Sequence, residues 1–332
     1  MADHSPTSAR SRNEDEKTFA SAAHRRHNGD PYPMTTLSFF RFSAGLIGLA
    51  CAIPSFAQTS PAKAATPPPE QRPAIGSKAW VWEDLVFRPS PVGGRRDVNN
   101  SPSGTLRVFE SHVTTLNPGR QSHPPHRHGQ EEFILIKEGT LEVHINGRTQ
   151  RAGPGSVLFF AANDAHNSTN VGDTPATYLV FNYRTARTEQ APAEGVEAAT
   201  AAGKLKDVLP SAVYDWQTLP VVKTPTGERR PILSVPTATL AKLSGHATTI
   251  GAGLVAHPPH RHPDEELVVV KDGLVEVTVD GVATRGGPGS IFFFASGSMH
   301  GMRNAGDTAA TYYVFRFVSE ATPPPEPRPA KS

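Results

Sequence analysis

Eight residues carry the chemistry this chain offers: His126, His128, Glu132 and His166, then His260, His262, Glu266 and His300. Each set holds three imidazoles and one carboxylate, with no sulfur. Such donors suit Mn, Fe, Ni, Cu or Zn and leave one or two coordination positions for water, dioxygen or a chelating substrate. Three neutral imidazoles and one carboxylate around a divalent ion leave a net charge of about +1, which favours an anionic ligand. On a strand, His126 and His128 point to the same side and Glu132 keeps that parity; His166 arrives from a later strand, after the apolar Val157–Phe160 run. A single histidine on a strand is more often an ordinary structural residue. Here all eight recur at matched positions while the residues beside them diverge, His144 standing opposite Thr278 and Phe133 opposite Leu267.

Other residues near these sets have chemical uses of lower priority. His123 and His257 precede the first histidine of each set by three residues, across two prolines, and are candidate general bases beside a metal, against the commoner role of rim histidine. His112 and His246 are candidates for groups that support the ligands from behind. One guanidinium of each pair Arg95-Arg96 and Arg229-Arg230 is suited to clamp a substrate carboxylate, and Arg96 and Arg230 are taken as those residues. Phe159, Phe160, Phe292, Phe293 and Phe294 are expected to pack a core.

The elements that position these residues follow from an internal repeat. With an offset of 134 residues, as from His126 to His260, the HPPHRH segment recurs, as do Trp82 at Trp216, Gly153-Pro154-Gly155 at Gly287-Pro288-Gly289, and Asn170 at Asn304. A gapless register over such a length is the mark of a duplicated domain. Each copy alternates apolar and polar residues, as at Leu141, Val143 and Ile145 or Val275, Val277 and Val279, which predicts strands with one face on a core. Asn146-Gly147 and Asp280-Gly281 end those strands with pairs that tolerate the positive φ of tight hairpins. Ala191 to Lys206, rich in Ala and Glu, reads as a linker with one short helix.

Charge and the N-terminus bound the setting. With 33 basic and 31 acidic residues, a net charge of +2 and no long run of one sign, nothing points to nucleic acid. Met34 to Ala57 reads as a secretory signal peptide: Arg41, a short apolar run, then Ser55-Phe56-Ala57. That run, broken by Pro54, falls short of the roughly 20 residues a membrane-spanning helix needs. The only cysteine, Cys51, lies within it, so the exported chain is expected to carry no disulfide and no thiolate ligand.

The motifs resemble those of the cupin superfamily. Its first motif, HxH, then Glu, then Gly, is met by His126, His128, Glu132 and Gly139, and by His260, His262, Glu266 and Gly273; its second is met by Pro154, Gly155, His166 and Asn170, and by Pro288, Gly289, His300 and Asn304. The resemblance implies an all-β chain of two tandem jelly-roll barrels, each holding a metal through those four ligands. The resulting division is an extension or mis-assigned start at 1–33, the signal peptide at 34–57, a Pro/Ala-rich linker at 58–77, barrels at 78–188 and 210–319, a linker at 189–209 and a Pro-rich tail at 320–332. Among two-barrel cupins, complete ligand sets speak against metal-free storage proteins. His123-Pro124-Pro125 stands where oxalate decarboxylases place an arginine, which speaks against oxalate. The implied activity is a metal-dependent enzyme on a small anionic or enolic metabolite, a dioxygenase first and a decarboxylase or isomerase next. Mn or Fe is the first expectation for the metal, with Zn, Ni and Cu behind. The rival is a non-catalytic module that binds a small ligand or sequesters metal. Export to the periplasm or medium, a small-molecule partner, no transmembrane anchor and a homo-oligomer complete the expectations.

Overall fold

In the computed structural model, residues 66–325 are described; the expected extension and signal peptide, the start of the Pro/Ala-rich linker and the end of the tail lie outside them. The first half builds a seven-stranded antiparallel sheet in the order Ala212–Tyr214, Val157–Phe160, Glu131–Glu138, Ala176–Arg184, Val108–Leu116, Gly93–Ser101, Arg88–Ser90. A three-stranded sheet of Arg148–Ala152, Leu141–Ile145 and His166–Asn170 faces it. The second half repeats this with Lys78–Trp80, Ile291–Phe294, Glu265–Asp272, Ala310–Val318, Lys242–Ile250, Gly227–Val235 and Val222–Thr224, faced by Val255–His260, His300–Asn304, Val275–Val279 and Val282–Gly286. The chain is thus all-β, as two jelly-roll barrels. The hairpins form at the expected pairs: φ is 47° and 82° at Asn146 and Gly147, and 46° and 87° at Asp280 and Gly281, as a type I′ turn requires. Among the described residues no helix is long and apolar enough to cross a membrane.

The alternation read from the sequence holds for the small sheets, where Leu141–Ile145 buries every second residue. In the large ones it holds along Val108–Leu116 but fails along Glu131–Glu138, Val157–Phe160 and Ala176–Arg184. In Ala176–Arg184 every residue but the last is buried, because both faces of each large sheet are covered. One face closes its own barrel, with Ile134, Leu158, Phe160 and Val180 in the first and Val268, Phe292, Phe294 and Val314 in the second. The other face meets the opposite half: Phe133 stacks on Phe181 at 4.9 Å and on Phe315 at 4.4 Å, and Phe109 on Phe293 at 5.1 Å. Of the five phenylalanines expected to pack a core, Phe160, Phe292 and Phe294 fill barrels, while Phe159 and Phe293 pack between them.

The halves also exchange arms. Lys78–Trp80 pairs with Ile291–Phe294 of the second barrel, and Ala212–Tyr214 with Val157–Phe160 of the first. Trp82 then lies against Gly289 and Trp216 against Gly155, where an added Cβ would come within 2.4 and 2.7 Å of the indole. Those glycines, with φ of 94° and 90°, suit both the turn and the close approach. Two fully desolvated carboxylates tie the same interface. Glu131 accepts hydrogen bonds from Tyr183, from the hydroxyls of Thr237 and Thr239, and from the Ala238 N–H. Glu265 accepts them from Ser103 and Thr105. Burial raises both above the ordinary carboxylate range. The linker after the first barrel is not free: its helix Val196–Ala201 docks on that barrel, with Glu197 paired to Arg148 and its N–H given to Asp164 at 3.1 Å.

Candidate metal centres

In each half the three histidines converge. The ligand atoms of His126, His128 and His166 lie within 4.8 Å of one another, as do those of His260, His262 and His300. The route differs from strand parity. His126 and His128 precede the strand Glu131–Glu138, and only a bridge between His126 and His166 anchors them; in the second half the strand Val255–His260 ends on the first ligand. Glu132 and Glu266 lie in their strands and reach the same place, Glu132 Oε2 at 3.7 Å from His128 Nε2 and Glu266 Oε2 at 3.2 Å from His262 Nε2.

All six rings are held by their Nδ1 atoms. His126, His128 and His166 set Nδ1 on the carbonyls of His166, Gln130 and Asp164 at 3.2, 2.8 and 2.9 Å. His260, His262 and His300 use those of Pro258, Asp264 and Ser298 at 3.3, 2.8 and 3.0 Å. A carbonyl can only accept, so each Nδ1 carries a proton, and in a neutral ring the Nε2 lone pair is then the one that can meet a metal. Phe160 and Phe294 stack flat on His166 and His300 at 4.2 Å and hold the ring planes.

The decisive atoms are Nε2 of His166 and of His300: both are buried and neither has a hydrogen-bond partner. An unpaired buried acceptor is costly, and a cation supplied by coordination satisfies it. Burial holds both imidazoles down to about 4, so they are neutral and able to coordinate. The residues fit a divalent ion held by three Nε2 atoms and one carboxylate at each centre.

The surroundings differ. The first centre opens on a cavity of about 490 Å³ whose walls include His112, Thr114, His123, Tyr178, Asn182 and Arg95. His112 sets Nδ1 on Glu110 Oε1 at 2.8 Å, and Glu110 also accepts from Asn182 at 2.8 Å and Arg95 at 2.9 Å. In the second half the position of Asn182 belongs to Arg316, that of Gln130 to Asp264 and that of Glu110 to Ser244. Arg316 grips Asp264 through Nε and Nη2 at 2.5 and 2.7 Å and stands 3.9 Å from Glu266. Burial presses the His262 imidazole down, but Asp264 and Glu266 outweigh it and raise it to about 9. Burial, then Arg229, holds His246 down to about 4. These unlike pairs were not singled out from the sequence; the signal for them is that the copies disagree at positions flanking identical ligands.

The remaining candidates separate. His123 is exposed at the mouth of the first cavity, its ring 3.9 Å from that of His126, and His257 stands 4.5 Å from His260. Each sits beside the first ligand of its set. Arg96 does not line the first cavity, and both Arg96 and Arg230 lie against the exchanged arms, which corrects the clamp expected of them. Arg96 lies 4.7 Å over Trp82 and Arg230 4.5 Å over Trp216, in cation–π contacts at the exchanged arms. Successive residues on a strand face opposite ways; the neighbour Arg95 therefore lines the first cavity, paired with Asp97 and Glu110.

The sequence profile of the Cupin domain matches residues 112–182 and 247–316. Over 91 residues, 27% of this chain and 70% of the relative, the chain is 32% identical to the L-ectoine synthases of Bordetella parapertussis and Bordetella bronchiseptica. Similar solved structures include AerE from Microcystis aeruginosa, 14% identical over 71% of this chain and 98% of that one, with a TM-score of 0.53. The oxalate decarboxylase of Lactobacillus farciminis, in a formate complex, is 17% identical over 76% and 90%, with a TM-score of 0.55. A Bacillus subtilis oxalate decarboxylase variant is 16% identical over 76% and 80%, with a TM-score of 0.53. At these identities the structural likeness is one of fold.

Proposed function

We propose, from the premise that this chain belongs to the cupin family, that it is a metal-dependent enzyme acting on a small anionic or enolic compound in its first barrel. The observation that carries this is the buried, unpartnered Nε2 of His166, placed with His126, His128 and Glu132 on a cavity of about 490 Å³. His126, His128, His166 and Glu132 would hold a divalent ion, which would supply Lewis acidity to chelating oxygens of a substrate. The protein supplies the rest. Phe160 and the backbone carbonyls keep the imidazoles in place, Thr114, Tyr178 and Asn182 offer hydrogen bonds to the substrate from the walls, and His123 stands at the mouth, where it can pass a proton to solvent. Dioxygenation of an enolic chelator is the leading reaction, with decarboxylation next. His123-Pro124-Pro125 offers no guanidinium to an oxalate in front of the ligands. The second barrel is a further metal centre, with His257 in the place of His123. Mn or Fe is the proposed ion, and export, carried by Met34 to Ala57, belongs to the same reading; fractionation of cells expressing the full chain tests it.

The test is a metal count by mass spectrometry on protein purified without a metal-binding tag, followed by a screen of dicarboxylates and catechol-like enols with and without dioxygen. About two ions per chain and turnover that disappears with Glu132→Ala are expected. Failure to take up metal after reconstitution would overturn the proposal.

A further inference from the structure

The first barrel contains a second group of polar residues on the same wall as its ligands. In Val108–Leu116 the residues Glu110, His112 and Thr114 alternate with buried Phe109, Ser111 and Val113, so they share one face, and His112 and Thr114 on that face line the cavity. Across the sheet, Glu110 pairs in register with Asn182, and Asn182 with Glu132. One row therefore runs from the ligand Glu132 through Asn182 to Glu110. The row beside it runs Ile134, Val180, His112. Two strand spacings, about 10 Å, separate the ligand strand from that of His112. A small molecule chelated at the ligands spans much of that distance inside one cavity.

Glu110 is a carboxylate with three donors. Burial works to raise it, but the hydrogen bonds from His112 and Asn182, with the charge of Arg95, outweigh burial and hold it below its ordinary value. An ionised Glu110 fixes the proton of His112 on Nδ1, which leaves Nε2 as an acceptor. Nucleophile-activating sites use the same logic: a base oriented by a carboxylate that also stabilises its protonated form. The second barrel keeps His246 but has Ser244 for Glu110 and Arg316 for Asn182, so its imidazole has no such carboxylate.

We propose that His112 is the proton acceptor for the substrate in the first barrel and that Glu110 is its positioning residue. The substrate class is then a chelator with an acidic O–H or C–H turned away from the ligands, an enol or catechol-like compound. The proton passes from that O–H or C–H to His112 Nε2. The electron pair of the broken bond stays on the substrate as its enolate or phenolate, and Glu110 pairs with the imidazolium. This rests on the chelation reading above.

The test uses 4-nitrocatechol, whose singly and doubly deprotonated forms differ in colour, bound to the zinc-loaded full chain. The expected result is that His112→Gln raises the pH at which the bound probe loses its second proton by about one unit, a tenfold change. Glu110→Gln shifts it in the same direction by less, and His144→Gln, on the outer face of another strand, leaves it in place. Equal zinc content in all variants shows the ligands intact. Comparison with His112→Gln isolates the first barrel, because only that wall contains His112. An unshifted ionisation in zinc-loaded His112→Gln overturns the proposal and leaves chelation standing. A probe that fails to bind the wild type overturns chelation and this inference together.

Discussion

The two barrels present the same four candidate ligands, with equivalent backbone anchors for two of the three rings, yet they face different surroundings. The first opens its centre on a cavity lined by an imidazole and amides, with the Glu110 carboxylate bonded to His112 and Asn182 of that lining. The second brings a guanidinium to 3.9 Å from its ligand carboxylate and neutralises it with Asp264. In the proposed reading, the matched ligands set what each site holds and the unlike row of residues behind them sets what each can do with it. Duplication keeps the first and lets the second drift, because a metal ligand tolerates few alternatives while a wall residue changes the reaction without losing the ion.

The comparison can be broken at several points. The largest effect is expected from Phe133→Ala. Phe133 is 1% exposed and touches Phe181 in its own half and Phe315 and Phe317 in the other. Its loss should cost about 3–5 kcal/mol and lower a single unfolding transition shared by both barrels in calorimetry. Two separated transitions, with only the first lowered, would show that the halves fold apart.

Next come the ligand carboxylates. Glu132→Ala should reduce turnover by at least about 100-fold, beyond the 10- to 100-fold typical of outer partners, and Glu266→Ala should leave most of it. Each should lower the metal count by about one. Equal losses of turnover would make both barrels reactive and end the division of labour proposed above.

A milder change copies one wall into the other. The double variant Gln130→Asp with Asn182→Arg places the second barrel's pair beside Glu132, and nitrocatechol binding should weaken by roughly tenfold with metal content unchanged, as read by titration calorimetry and mass spectrometry. Unaltered binding would mean that Arg316 has no part in the difference between the cavities.

The smallest effect concerns the helix that, among the described residues, covers the first barrel. Arg148, then Asn146, holds the Glu197 carboxyl at about 2. A depressed folded-state value stabilises above the unfolded value and loses that contribution as pH falls toward 2. Glu197→Gln should therefore lower stability by about 0.5 kcal/mol at pH 7, an amount small because the pair is partly exposed, and by progressively less in acid. The place where this helix would lie on the second barrel has Val282 and Met299 exposed at 69% and 40%.

Much of the site was legible in the chain. The HxH spacing, the glutamate six residues on from the first histidine, and the recurrence at a fixed offset identify the ligands with no knowledge of their neighbours. The Asn-Gly and Asp-Gly turns were equally readable, since positive φ is a local demand. Arg96 was misplaced because a pair of adjacent arginines does not say which of them faces inward. Strand alternation misled in the large sheets, because it presumes one wet face, and Phe133 and Phe181 lie on a face covered by the other half.

By itself, then, the sequence determined the duplication, the strand type and the eight candidate ligands, all of which depend on residue type and short-range spacing. Tertiary structure alone decided the exchange of the Lys78–Trp80 and Ala212–Tyr214 arms, the burial of Glu131 among the threonines of the opposite half, and the meeting of Glu110 with His112 and of Arg316 with Asp264. Most of these contacts join residues far apart in the chain. Even the Glu110–His112 pair gains its meaning from strand register, which places it across the sheet from Glu132. Such pairings depend on which apolar faces meet when the barrels close, a global outcome that no local period encodes.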